Sequence, residues 1–71
     1  MFLCGLDNGH PTAINIANAR TIVLVADPEG DFIMVEWSDS DVSRSVDAKD
    51  AVICTPQRVG AVLMSLKARN P

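Results

Sequence analysis

Residues 20–37 read RTIVLVADPEGDFIMVEW, and this stretch decides the fold class. Residues 21–26 are apolar or β-branched at successive positions, a pattern typical of a strand buried on both faces. In the turn that follows, Pro28 has the backbone angle required at the second position of a β-turn, and Gly30 tolerates a left-handed conformation. We therefore predict a hairpin in which residues 31–38 return along residues 20–26.

The return strand alternates in polarity, which separates its two faces. Ile33, Val35 and Trp37 form the more uniformly apolar face and are predicted to lie in the core. A turn at residues 38–40 should lead into a half-exposed strand at residues 41–47, where Val and Arg alternate with Ser.

Upstream of this hairpin, Asn8 and Gly9 separate two apolar runs. This dipeptide favours a type I′ turn, because both residues tolerate positive φ. Residues 2–6 should therefore pair with residues 12–16, with Ile14 and Ile16 directed to the core.

The C-terminal part predicts one helix at residues 56–68. Thr55 is a suitable N-cap, and Pro56 suits the first helical position. An apolar stripe at helical spacing comprises Val59, Val62, Leu63 and Leu66. Gly60 disfavours a helix, so we expect a close approach of the helix to the sheet there. Residues 51–54 are either a short strand or an extended lead-in.

Together these elements predict a single domain, residues 1–71, of the α+β class and mostly β. We expect an antiparallel four- to five-stranded meander with one C-terminal helix packed on one face. A chain of 71 residues that is 48% hydrophobic can form a single, small core. Cys4 and Cys54 lie in apolar runs and are expected to be buried thiols. Because one helix covers only one face, we expect a homodimer through the other sheet face.

The charges are unevenly placed. Residues 27–50 contain eight of the nine acids and two basic residues, for a net charge of −6, whereas the remainder carries +3. Two turns hold most of these acids: Asp27, Glu29 and Asp31 in one, Asp39 and Asp41 in the other. These two turns are expected to lie at opposite ends of one strand, and we predict that a protein partner, expected to be basic, binds at either turn through these five residues. The alternative is that they form only a solvated acidic face.

No catalytic or metal centre is evident, so we expect neither an enzyme nor a cofactor. His10 is the only histidine, which leaves no basis for a catalytic triad or a histidine metal site. Residues 39–41 resemble the start of a calcium loop, but the required Gly and Glu do not follow. No stretch is apolar enough to cross a membrane and no export signal is evident, so we expect a cytoplasmic protein without membrane contact.

The arrangement also resembles the small flagellar-regulatory FlbD-like family and similar short bacterial and phage proteins. The residues that carry this resemblance are Leu6-Asp7-Asn8-Gly9, Ile14-Asn15-Ile16 and Ile22. The resemblance implies a regulatory or accessory module without catalysis, and it supplies no site residues.

Three function classes follow from these observations. The first is a non-catalytic adaptor, inhibitor or regulatory module, such as a phage or other mobile element encodes, that acts through its acidic surface. The second is a nucleic-acid-associated regulator that uses Arg58, Lys67 and Arg69, although an acidic chain is a poor ligand for phosphates. The third is a structural homo-oligomeric accessory protein.

Overall fold

A computed structural model describes residues 1–39 and 41–69 of the chain. The strands are β1 (Phe2–Asp7), β2 (His10–Asn15), β3 (Ala19–Val25), β4 (Phe32–Trp37), β5 (Ser43–Asp47) and β6 (Val52–Cys54). A 3₁₀ turn (Pro56–Arg58) then leads into helix α1 (Val59–Arg69). The predicted class, mostly antiparallel β with one C-terminal helix, is confirmed.

The described strands form two three-stranded antiparallel sheets instead of one meander. The first sheet has the order β2-β1-β6 and the second has the order β3-β4-β5. The predicted meander is interrupted between β2 and β3, which lie in different sheets, and β6 pairs with β1 and not with the preceding strand β5. The long-range pairing of β6 with β1 completes the first sheet and makes β1 its central strand.

Both predicted hairpins are present. Asn8 and Gly9 have φ angles of 52° and 82°, as a type I′ turn requires, and Leu3 lies opposite Ile14. In the second hairpin, the Gly30 N–H donates to the Asp27 carbonyl oxygen at 3.0 Å. The turn predicted at residues 38–40 includes Ser38 and Asp39, and Ser40 lies outside the described residues.

The core has two parts, one on each face of β1, because successive strand residues point to opposite faces. Leu3 faces the second sheet and packs with the buried residues Ile14, Val35 and Val46. The predicted core residues Ile16, Ile33 and Trp37 are half-buried and pack against the same cluster. Cys4 faces the helix.

The second part of the core joins the helix to the first sheet. Cys4 packs there with Cys54 and Leu66, all three of them buried. The rest of the predicted helix stripe, Val59, Val62 and Leu63, is half-buried around them. The helix therefore packs on one face of one sheet, as predicted.

The prediction that residues 20–26 are buried on both faces is wrong. Ile22, Val23 and Leu24 are 48%, 42% and 64% exposed. The physical reason is position: β3 is the edge strand of the second sheet, and the core between the sheets includes residues of β4 and β5 but only Ala19 of β3.

The prediction of a close backbone approach at Gly60 is also wrong. A Cβ atom added there would meet nothing within 4 Å, and Gly60 is exposed. The close approach lies instead at Gly5, where an added Cβ would come within 2.9 Å of both Cβ and Cγ2 of Val46. The two sheets therefore meet most closely where β1 crosses β5.

Candidate functional site

An open hollow of about 800 Å³ lies beside the turn between β3 and β4, and we refer to it as the acidic hollow. Its lining residues come from the β1–β2 turn, the β3–β4 turn and the β5–β6 connection, together with the first residue of β4 and the last of β5. They are Asn8, Asp27, Glu29, Gly30, Asp31, Phe32, Asp47, Ala48 and Lys49. Three separate connections of the chain therefore form a single concave surface.

Local hydrogen bonds hold the β3–β4 turn in place. The Asp27 carboxylate accepts a hydrogen bond from the Glu29 N–H at 2.9 Å, an interaction that Asp commonly makes two residues on in turns. The Asp31 carbonyl oxygen accepts one from the Ala48 N–H at 3.0 Å, which links this turn to the β5–β6 connection. These two hydrogen bonds fix the backbone that carries the acidic side chains of the β3–β4 turn.

The hollow combines negative charge with an apolar contact. Four carboxylates, from Asp27, Glu29, Asp31 and Asp47, and the ammonium group of Lys49 line it. Phe32 is half-buried and lies directly opposite Asp47 in the register of β4 and β5. This arrangement suits the attraction of an Arg or Lys side chain, with the Phe32 ring available to the stem or guanidinium of that side chain.

The structure separates the five predicted site residues. Asp27, Glu29 and Asp31 line the hollow together, whereas Asp39 and Asp41 are exposed beyond the opposite end of β4. Sequence reasoning did not assign Asp47 to this site. Its signal was the β4–β5 hairpin, whose register places Asp47 beside the start of β4, and therefore beside the acidic turn.

The basic residues of the C-terminal helix are differently placed. Arg69 forms an ion pair with Asp50 at 3.1 Å, and both residues line a smaller hollow of about 410 Å³. Arg58 lines the same hollow, whereas Lys67 does not. Part of the positive charge of the helix is therefore already compensated by an acid of the same chain.

The two cysteines form a buried pair. Their Sγ atoms are 3.5 Å apart. Burial raises the pKa of the Cys4 thiol from 9.0 to about 11. The hydrogen bond with the Cys54 thiol and the electrostatic effect of Cys54 contribute in the same direction. Because the thiolate is the nucleophile, Cys4 is chemically quiet at neutral pH. Within residues 1–39 and 41–69, no group of three or more His, Cys, Asp or Glu side chains is placed to hold a metal ion.

The described part of the chain contains no helix that is long and apolar enough to span a membrane. Comparisons with protein-family models, with curated proteins and with solved structures found no match. Inferences about function therefore rest on the shape, charge and apolar contacts of the described surface.

Proposed function

We propose that this protein is a non-catalytic binding module, an adaptor, inhibitor or regulator, that docks a basic protein partner in the acidic hollow. The observation that carries this proposal is the convergence of four carboxylates and Phe32 on one concave surface. Carboxylates grouped in this way accelerate the encounter with a basic partner, and an adjacent apolar contact slows its release.

Geometry favours the β3–β4 turn over the other acidic turn. Asp27, Glu29 and Asp31 are joined on one concave surface by Asp47, which comes from the end of β5. The free pair of thiols fits a reducing compartment, and we propose a cytoplasmic location on that ground.

The test compares two charge reversals. One variant carries Glu29→Lys and Asp31→Lys, and the matched control carries Asp39→Lys and Asp41→Lys. Each substitution replaces a negative charge with a positive one, so both variants change the net charge from −3 to +1. Partners are captured from a lysate of the native host with wild-type protein and identified, and their affinity for both variants is then measured.

We expect the hollow variant to lose binding by at least about tenfold, because two like charges then face the basic partner. The control should keep most of its affinity, with a modest loss in association rate. Equal binding by wild type and the hollow variant, at both low and high salt, would overturn the proposal. An equal loss in both variants would assign the effect to overall charge and would equally count against the hollow.

A further inference from the structure

Strand β3 differs from the other edge strands of the described sheets. Unprotected edges invite pairing with another chain, and proteins usually protect them with Pro, with charges or by keeping them short. β2 contains Pro11, β6 has three residues, and β5 reads SRSVD. β3 has seven residues; its bulge, between Ala19 and Thr21, and its charged residue Arg20 lie at its start, and from Thr21 to its end it contains neither Pro nor a charged side chain.

Both faces of β3 are open. Ile22 and Leu24 lie on the face shared with Val35, and Val23 lies on the other face. All three β3 residues are more than 40% exposed. A molecule docked on one face would leave the other in water. A strand added in the plane of the sheet would cover part of both faces and would also satisfy the outward backbone groups of β3.

We propose that β3 pairs antiparallel with β3 of a second copy, about a two-fold axis at Val23. The β3-β4-β5 sheets of the two copies then form one continuous six-stranded sheet. This proposal shares only Asp27 with the acidic hollow, and it places the contact at the sheet edge instead of the sheet face.

The sequence of β3 is complementary to itself in this register. Ile22 lies opposite the partner's Leu24, and Val23 lies opposite the partner's Val23, which gives apolar pairs on both faces. The charges also match, since β3 has Arg20 near its start and Asp27 just after its end. With the axis at Val23, Arg20 lies opposite the partner's Ala26, next to the partner's Asp27, so opposite charges adjoin at both ends of the contact.

These end charges favour the second copy over an unrelated strand and antiparallel over parallel pairing. A parallel arrangement would set Arg20 beside the partner's Arg20 and one acidic turn beside the other. Like charges placed side by side on neighbouring strands destabilise the pairing. In a two-fold contact each favourable charge pair occurs twice, once at each end of the paired strands.

Molar mass in solution tests the contact. Light scattering coupled to gel filtration should show the wild-type molar mass rising from the 7.6 kDa of one chain towards twice that value as the concentration increases from micromolar to millimolar. Val23→Lys places two ammonium groups at the two-fold axis and should raise the dissociation constant at least about tenfold. The matched control is Met64→Lys, on the helix, where the side chain is 66% exposed, and it should leave the mass unchanged. Circular dichroism verifies that each variant is folded.

A charge exchange tests the register. Arg20→Glu alone and Asp27→Arg alone should each weaken the dimer, because each brings like charges together at both ends. Mixed in equal amounts, the two variants should recover a heterodimer, since every end pair then has opposite charges. A wild type that stays at 7.6 kDa, a Val23→Lys variant as dimeric as wild type, or a mixture no stronger than its components would each overturn the proposal.

Discussion

Strands β1 and β3 are both largely apolar, but β1 is buried and much of β3 is exposed to solvent. β1 is the central strand of the first sheet, and Leu3 and Cys4 are 2% and 0% exposed on its two faces. β3 has the more continuous apolar sequence, yet Leu24 is 64% exposed. An apolar strand of this kind indicates burial on both faces without specifying whether the cover comes from the same chain. The apolar residues of β1 are covered by other elements of the same chain, and we propose that those of β3 are covered by a second copy.

The largest expected effect separates the two strands by the same substitution. Leu3→Ala removes a side chain enclosed between the sheets and should lower the free energy of unfolding by about 2–5 kcal/mol. Leu24→Ala, measured at low protein concentration, should lower it by less than about 1 kcal/mol, because most of the side chain is in water in the protomer. Urea unfolding of both variants provides the measurement. Equal losses would contradict the assignment of β1 to the interior and β3 to the edge.

The second prediction concerns the contact between the sheets. Gly5→Ala places a methyl group 2.9 Å from Val46, where the opposing atoms are the base of a buried side chain, and should destabilise the protein by about 1–3 kcal/mol. Gly60→Ala is the matched control. It meets nothing within 4 Å and should stabilise the helix by about 0.5–1 kcal/mol. Opposite signs in thermal unfolding confirm that the sheets meet at Gly5, and a neutral Gly5→Ala would refute it.

These two glycines also show what sequence can and cannot establish. The Asn8-Gly9 turn, the turn from Asp27 to Gly30 and the helix stripe are local patterns, and each was predicted because the residues that decide it are neighbours in the chain. The pairing of β1 with β6 joins residues about fifty positions apart. No local pattern encodes this pairing, which makes β1 the central strand, or the packing of β1 on Val46 of β5, which crowds Gly5.

The same distinction applies to the candidate site. Asp27, Glu29 and Asp31 belong to a single turn, so their proximity could be predicted directly. Asp47 joins them only through the register of β4 and β5. Asp39 and Asp41 belong to a second turn at the opposite end of β4, a separation that the order of the strands predicts, and the acidic hollow does not include them.

The third prediction uses pH to examine the first sheet. With the pKa of Cys4 raised to about 11, the folded protein keeps this proton between pH 9 and 11, while the unfolded chain releases it. Stability should therefore fall as pH rises through this window, by on the order of 2 kcal/mol, and be fully present below pH 9. Urea titrations at several pH values measure the slope. Cys4→Ala should flatten it, and an unchanged slope in that variant would assign the loss to other groups.

Hydrogen exchange measured residue by residue tests the central claim most directly, because it compares β1 and β3 in one experiment. Amides of β1 should be protected equally at micromolar and millimolar protein concentration, since the protomer itself encloses them. The outward amides of β3, between Ala19 and Val25, should exchange rapidly when dilute and become protected as concentration rises. Protection of β3 that does not depend on concentration, or a concentration effect confined to other strands, would contradict the account.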